Sequence, residues 1–346
     1  MMSQLNHTST RRYWHRLFEE EPRIPIPPAF FRGEPDCGGD RGPSQAMFKR
    51  FVCTVNIETS TYCNRRCTYC PVAYDDSRKL QVHMDDATFR NVIDQLDIIC
   101  FSSTICFNLY NEPLADDHMF SVLPYARRKL PSAFFMLNSN GDYVTPERLD
   151  QLRQSGLSGI FVTLHPGPKK KYDAEDRRKC MSAFLRRLGL KRAEVRDGEL
   201  SGSLEATVDW SGMRLTVMTN DWAVHGSSRS GEIESLEAAY ARSTPCVRPM
   251  REFTISSNGD VYPCCQFYPE ATATRPHIIG NVTDSSIFEI YASDSLAKWR
   301  RMLFPYGEKE PPCRTCRDTD YSEESTKELR KKILARVLGK AEPPHD

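Results

Sequence analysis

The chain has 346 residues, with 47 lysines and arginines against 46 aspartates and glutamates and a net charge of +1. This length is enough for one large hydrophobic core and a smaller module, and the balanced charge gives no electrostatic reason to expect nucleic acid or an anionic membrane as a partner. No apolar run is long enough to span a bilayer and the N-terminus lacks the apolar core of a signal peptide, so we expect a cytoplasmic protein.

Residues 1–50 are rich in proline, glycine and charged side chains. This composition disfavours regular structure, and we expect an extended or partly ordered arm that contributes nothing to the core. Short apolar strands then alternate with helical patterns, as in parallel β-α units. Thr145 followed by Pro146 is typical of a helix start, and Gly156 of a helix end. The predicted strands are 51–59, 104–110, 133–138, 159–164 and 215–220, and the predicted helices lie around 89–96, 117–128, 145–155 and 175–189.

The pattern changes near residue 245. Asn258-Gly259 lies between two short apolar runs, and this pair favours a two-residue type I′ hairpin turn with positive φ at both residues. Ser286 and Glu289 have the spacing of a capping box that opens a helix. The sequence thus predicts an N-terminal extension at 1–50, an α/β core at 51–244, a second module with antiparallel strands at 245–320 and a charged helical tail at 321–346.

Seven of the thirteen cysteines fall into two sets. In a reducing compartment, clustered thiols are more often metal ligands or reactive groups than disulfides. The first set, Cys63, Cys67 and Cys70, has the spacing C-x3-C-x2-C directly after a predicted strand. On a helix these residues would form one apolar face, but polar residues lie between them and Pro71 follows at once. A loop around a metal centre therefore fits better.

A structural zinc site would need a fourth ligand close by, and the sequence near this set offers none. Three thiolates on a 4Fe-4S cluster instead leave one iron without a protein ligand. The spacing, with the aromatic Tyr69 before the last cysteine, resembles the signature of the radical S-adenosylmethionine (SAM) enzymes. The resemblance implies a partial (β/α)6 barrel similar to a TIM barrel, a 4Fe-4S cluster and SAM bound to its open iron.

Three further segments resemble SAM-binding segments of that family. Tyr110-Asn111-Glu112 lies where the family has Gly-Gly-Glu, so the resemblance implies that Asn111 and Glu112 contact the SAM amino group. The segment Asn138 to Gly141 ends the third strand as it commonly ends in the family, so the resemblance implies that Ser139 lies within reach of SAM. Arg229 resembles the arginine that holds the SAM carboxylate. In the family, an electron from the cluster cleaves SAM to a 5'-deoxyadenosyl radical, which removes a hydrogen atom from the substrate.

The second set combines Cys246 and Cys264 with the C-x2-C pair Cys313 and Cys316. On spacing alone, these four residues are also consistent with a closed zinc site. The surrounding sequence resembles the SPASM module of radical SAM enzymes in its shortened form, called twitch, and no cysteine follows residue 316. The resemblance implies one auxiliary 4Fe-4S cluster with four protein ligands. Cys265 either replaces Cys264 as a ligand, donates a hydrogen atom or simply packs.

Twitch enzymes that resemble this chain act on sugars and aminocyclitols in natural-product pathways, including those of antibiotics, as dehydrogenases or epimerases. A dehydrogenase needs a base, and His165 and His225 are candidates because they lie near strand ends where such barrels keep their active sites. An epimerase needs a hydrogen-atom donor such as Cys265. The resemblance also implies a carbohydrate-like small-molecule substrate and an electron donor such as flavodoxin or ferredoxin.

Two alternatives remain at this point. Radical SAM enzymes with SPASM or twitch modules also modify ribosomal peptides, but these commonly carry an N-terminal leader-binding domain, for which residues 1–50 look too short. The other alternative is a non-catalytic zinc-binding protein.

Overall fold

The computed structural model describes residues 42–115, 117–166, 171–198, 200, 202–237, 241–243, 246–304 and 307–317. Residues 1–41 of the predicted extension and 321–346 of the predicted tail lie outside these ranges.

The strands are β1 (Thr54–Ile57), β2 (Thr104–Cys106), β3 (Phe134–Ser139), β4 (Gly159–Thr163), β5 (Arg196–Asp197), β6 (Leu204–Trp210), β7 (Met213–Thr219), β8 (Glu252–Ile255), β9 (Asp260–Tyr262) and β10 (Gly280–Asn281). The α-helices are α1 (Gly42–Phe51), α2 (Asp86–Ile98), α3 (His118–Lys129), α4 (Pro146–Gln154), α5 (Ala174–Arg187), α6 (Trp222–His225), α7 (Arg248–Arg251), α8 (Ile287–Ala292) and α9 (Asp294–Leu303). Short 3₁₀ helices lie at Pro71–Tyr74, Asp76–Lys79, Glu234–Leu236 and Thr272–His277.

All ten strands form one sheet in the order β10-β9-β8-β1-β2-β3-β4-β7-β6-β5. The six strands from β8 to β7 are parallel to one another, and helices cover the sheet. Each of these strands places a fully buried residue in the core, namely Val55, Ile105, Leu137, Ile160, Val217 and Ile255. The predicted α/β class with a parallel sheet is confirmed.

The predicted helices are confirmed by their burial and their caps. The apolar stripe of α2, Phe89, Val92, Ile93 and Leu96, is buried. The Thr145 side chain accepts a hydrogen bond from the Arg148 N–H at the start of α4, and the Ser286 and Glu289 capping box opens α8. In the described part of the chain, no helix combines the length and the apolar character needed to cross a lipid bilayer.

Three strands of the sheet, β5, β6 and β10, are not among those predicted, and β8 pairs unexpectedly. Antiparallel β6 lies beside β7 because Ser211 and Gly212, with φ of 51° and 93°, make a tight hairpin turn between Trp210 and Met213. At the other edge β8 pairs in parallel with β1, so the second module extends the same sheet. This pairing brings the two cysteine sets onto one framework.

The predicted type I′ turn at Asn258-Gly259 is wrong. Gly259 has φ of 87°, whereas Asn258 does not adopt a positive φ. The Asn258 Oδ1 accepts from the Asp260 N–H at 3.2 Å and from the Ser256 hydroxyl at 2.6 Å. These local side-chain bonds stabilise a longer loop, closed by the Ser256 N–H donating to the Asp260 carbonyl at 2.9 Å.

The prediction that residues 1–50 contribute nothing to the core is wrong for the last part of that segment. Helix α1 buries Phe48 completely. Its ring lies 5.1 Å from Tyr291 and 5.3 Å from Phe253, centroid to centroid, in edge-to-face contacts. The helix therefore closes the core where the two modules meet.

Candidate functional site

The first cysteine set lies in the loop after β1, at the carboxyl end of the parallel strands. The Cys70 N–H donates to the Cys67 carbonyl at 2.9 Å, which folds the loop back on itself. Burial raises the pKa of Cys63 to about 11, and the charge of Cys70 adds to this shift. Burial also raises the pKa values of Cys67 and Cys70. The three thiols are therefore close neighbours, and metal binding would displace their protons.

Residues between the cysteines attach this loop to the segment after β3. Arg65 donates two hydrogen bonds to Asp142, at 2.8 and 2.5 Å, and the Asn64 amide donates a third at 2.7 Å. The Asn140 amide donates to the Asn64 Oδ1 at 2.7 Å. The hydrogen bond from Arg65 lowers the pKa of Asp142, so the pair is charged. Sequence reasoning missed this attachment; the paired polar segments "NRR" and "NGD" were its only signal.

Tyr69 and His165, which the sequence indicated separately, are in contact. The Tyr69 hydroxyl lies 2.8 Å from the His165 Nδ1. Tyr69 therefore occupies Nδ1, and Nε2 is the ring nitrogen on the opposite side. Burial lowers the pKa of His165 to about 4, so the ring is neutral at pH 7.

Glu112 and Ser139 also come together. The Ser139 hydroxyl donates to the Glu112 Oε1 at 2.8 Å, and the Asn140 N–H donates to Oε2 at 2.6 Å. Glu112 is 3% exposed, and burial raises its pKa to about 7. The charge of Glu112 adds to the rise in the pKa of Cys63, which places the carboxylate beside the first cysteine set.

Asn111 has a local role in this arrangement. Its amide donates to the Ser60 hydroxyl at 3.0 Å, and its Oδ1 accepts from the Leu109 N–H at 3.1 Å. The side chain therefore fixes the segment after β2 to the segment that follows β1.

Tyr110 links the first cysteine set to the second module. Its hydroxyl donates to the carbonyls of Cys265 at 3.2 Å and Gln266 at 3.0 Å. Arg229 lies over the Tyr110 ring at 5.9 Å and donates to the Gln266 Oε1 at 2.9 Å. The charge of Arg229 opposes the rise in the Cys70 pKa, so the guanidinium lies close to the first set.

A buried ion network strengthens the same junction. Arg78 and Glu58 are both fully buried and form a salt bridge of 2.7 Å, and Arg78 also pairs with Glu270 of the second module. The Tyr268 hydroxyl donates to Asp75 at 2.7 Å. Because Arg78 and Asp75 follow the cysteine loop directly, these contacts hold that loop against the second module.

The second cysteine set surrounds a small cavity. All four predicted ligands, Cys246, Cys264, Cys313 and Cys316, line it. Cys265 is not among its lining residues, and its Sγ accepts from the Arg248 guanidinium at 3.3 Å. Of the two neighbouring cysteines, Cys264 is thus the one that the fold directs into the cavity.

His225 ends α6 and lies on the side of the second set. The Ser227 hydroxyl is 3.7 Å from the Cys316 Sγ, and Arg317 donates to the Val224 carbonyl at 3.3 Å. These contacts place the helix of His225 beside that set.

Neither cysteine set has the geometry of a site for one metal ion. Among the residues that the structure describes, no three His, Cys, Asp or Glu side chains converge closely enough to hold such an ion. Zinc requires all its thiolates within about 2.3 Å of a single point, whereas each thiolate of an iron-sulfur cluster binds a different iron. Thiol-only donor sets of three and four cysteines fit iron-sulfur clusters.

Family models match both parts of the chain. The model of the radical SAM superfamily matches residues 57–194, and the SPASM model, an iron-sulfur cluster-binding domain, matches residues 246–317. This chain is a radical SAM enzyme with a SPASM domain. Radical SAM enzymes of this organisation bind SAM and 4Fe-4S clusters, so the predicted family and cofactors are confirmed. The alternative of a non-catalytic zinc-binding protein does not hold.

Known relatives of this radical SAM enzyme include an S-adenosyl-L-methionine-dependent 2-deoxy-scyllo-inosamine dehydrogenase from Niallia circulans. The two are 24% identical over 271 residues, which cover 78% of this chain and 94% of that protein. The fold is similar to the crystal structure of BtrN in complex with AdoMet and 2-DOIA, with a TM-score of 0.58 and 22% identity over 79% of this chain and 96% of that one. An open conformation of BtrN gives a TM-score of 0.52 at 21% identity over the same shares.

Proposed function

We propose that this radical SAM enzyme oxidises a secondary alcohol of an aminocyclitol or a related sugar to a ketone, in a natural-product pathway such as that of an antibiotic. The observation that carries the proposal is the four-cysteine cavity, which Tyr110 connects to the three-cysteine loop. Removing two electrons from an alcohol needs an acceptor for the second one, and a fully ligated cluster is suited to electron transfer. The likeness to a 2-deoxy-scyllo-inosamine dehydrogenase supports the same reaction and substrate class.

Some residues around the first set would bind the cluster, and others would bind SAM. Cys63, Cys67 and Cys70 would hold the first 4Fe-4S cluster and leave one iron for SAM. The buried Glu112 carboxylate, positioned by Ser139, would bind the SAM ammonium group. The Arg229 guanidinium, close to Cys70, would bind the SAM carboxylate.

The proposed oxidation removes one hydrogen atom, one electron and one proton from the alcohol. When SAM and both clusters are bound, they supply two kinds of chemistry. These are removal of one substrate hydrogen atom by a 5'-deoxyadenosyl radical and acceptance of one electron. Cys246, Cys264, Cys313 and Cys316 would hold the accepting cluster. The proton of the substrate hydroxyl goes to the Nε2 of His165, which is neutral at pH 7.

The role of His165 predicts a selective loss. His165→Gln is expected to lower ketone formation about 10²- to 10⁴-fold, the usual contribution of a general base. Formation of 5'-deoxyadenosine should continue, because hydrogen-atom removal does not use this proton acceptor. His225→Gln is the matched control and should change the ketone rate less than about twofold if that histidine is structural. Equal ketone rates for wild type and His165→Gln would contradict the assignment.

The reaction class can be tested with the reconstituted enzyme, SAM, a strong reductant and 2-deoxy-scyllo-inosamine in deuterated water. We expect a ketone and 5'-deoxyadenosine in equal amounts. Other aminocyclitols and sugars are tested in parallel as alternative substrates. Deuterium at an inverted carbon would show epimerisation instead and overturn the proposed oxidation. Absence of product from every aminocyclitol and sugar would overturn the substrate class.

The same proposal implies a cytoplasmic setting, since free thiol sets for iron-sulfur clusters persist in a reducing compartment. Flavodoxin or ferredoxin would supply the electron that starts each turnover. Neither nucleic acid nor a membrane is required as a partner.

A further inference from the structure

Asn220 lies at the carboxyl end of β7, beside the end of β4 that carries His165. Thr163 pairs with Met218 in the parallel ladder, and the Leu164 N–H donates to the Met218 carbonyl at 2.8 Å. His165 and Asn220 each lie two residues beyond a member of that last pair. Neighbouring strands are about 5 Å apart, so this register brings Asn220 next to His165.

The side chains of both residues belong to the sheet face that lies away from the hydrophobic core. Val162 and Val217 pair with each other and are fully buried in that core. Successive side chains on a strand alternate between the two faces, so Thr163 and Met218 are on the other face, where they are only half-buried. Asn220 follows Met218 by two residues and therefore shares its face.

The Asn220 side chain is buried without a hydrogen-bond partner. The residue is 1% exposed, and within the described part of the chain neither its Oδ1 nor its Nδ2 is hydrogen-bonded. Its carbonyl, by contrast, accepts from the Trp222 N–H at 3.1 Å, so the backbone is fixed. Asn56, a buried asparagine on the same face, donates to the Thr254 hydroxyl at 3.1 Å. Buried amides are normally paired because an unpaired one is costly, so Asn220 is an exception that calls for a partner.

We propose that Asn220 binds a ring hydroxyl of the substrate, next to the hydroxyl whose proton goes to His165. The inference rests on the proposed function, both for the role of His165 and for the aminocyclitol or sugar class. An asparagine amide donates through Nδ2 and accepts through Oδ1, and a hydroxyl also does both, so the two groups are complementary. Asn220 would thereby hold the ring in one orientation and direct a single carbon towards the radical.

The first test is calorimetric binding of 2-deoxy-scyllo-inosamine to the reconstituted enzyme with SAM bound and no reductant, so that no turnover occurs. Asn220→Leu keeps the branched shape but removes both polar atoms, and Kd is expected to rise about 10- to 100-fold. Asn220→Ala, which cannot clash, should weaken binding to a similar extent. The Kd of SAM should change less than about twofold in both variants.

The second test compares stability, because a side chain without a protein partner can be replaced by an apolar one at little cost. Asn220→Leu should lower the melting temperature of the reconstituted enzyme less than the matched control Asn56→Leu. That control leaves the Thr254 hydroxyl without its partner. An equal loss of stability in the two variants would assign Asn220 a structural role and overturn the inference.

The remaining outcomes separate this inference from the proposed function. Unchanged aminocyclitol binding in both Asn220 variants, or weaker binding of SAM instead, would overturn the inference even if the wild type forms a ketone. An enzyme that binds the aminocyclitol through Asn220 but forms no ketone would leave it standing while the proposed oxidation fails. A wild-type enzyme that binds no aminocyclitol or sugar would overturn both.

Discussion

Replacement of Cys63, Cys67 and Cys70 together by alanine is expected to abolish formation of 5'-deoxyadenosine from SAM. The reason is that these thiols are the proposed ligands of the cluster whose open iron would bind SAM. The auxiliary cluster should remain, because its cavity is lined by other cysteines. Iron content should therefore fall from about eight to about four atoms per chain, since each cluster holds four.

The matched control for this prediction is Cys180→Ala. Cys180 is partly buried on α5 and belongs to neither cysteine set, so both the iron content and the SAM cleavage rate should stay close to wild type. Retention of about eight iron atoms per chain in the triple variant would contradict the assignment of these ligands.

Replacement of Cys313 by alanine is expected to separate SAM cleavage from substrate oxidation. The auxiliary cluster should be lost and iron should fall to about four atoms per chain, while 5'-deoxyadenosine still forms at the intact first cluster. The ketone should fall to the detection limit, because the substrate electron has no acceptor. The measurements are iron and sulfide content together with the molar ratio of ketone to 5'-deoxyadenosine.

The adjacent cysteines provide an internal control for this second prediction. Cys264 lines the cavity and Cys265 does not, so Cys264→Ala should behave like Cys313→Ala, and Cys265→Ala should keep about eight iron atoms per chain. Loss of the auxiliary cluster from Cys265→Ala alone would reverse the ligand assignment. Ketone formation at the wild-type ratio in Cys313→Ala would contradict the acceptor role.

Much of the site could be predicted because its chemistry is encoded in short segments. The spacing of Cys63, Cys67 and Cys70 is local, and a loop of eight residues brings the thiols together whatever the rest of the fold does. Likewise Thr145 caps a helix through a bond to a residue three positions away. The prediction for Asn258 was wrong even though the turn is short, because its side chain hydrogen-bonds the neighbouring backbone and selects another loop.

The contacts that connect the two modules could not be predicted in this way. Tyr110 reaches carbonyl groups 155 and 156 residues away, and Arg65 meets Asp142 across 77 residues. Such pairs leave no periodic pattern in the sequence. The pairing of β8 with β1, which brings the cysteine sets together, depends on which sheet edge is free once the core has formed.

The sequence by itself thus determined the family, the cofactors and the order of the α/β elements, because cysteine spacing, apolar periodicity and helix caps act over a few residues. Only the tertiary structure decided that Phe48 joins the core and that Cys264 and not Cys265 lines the cavity. The physical reason is that burial, and the strength of a charge in a low-dielectric interior, depend on packing between segments distant in the chain.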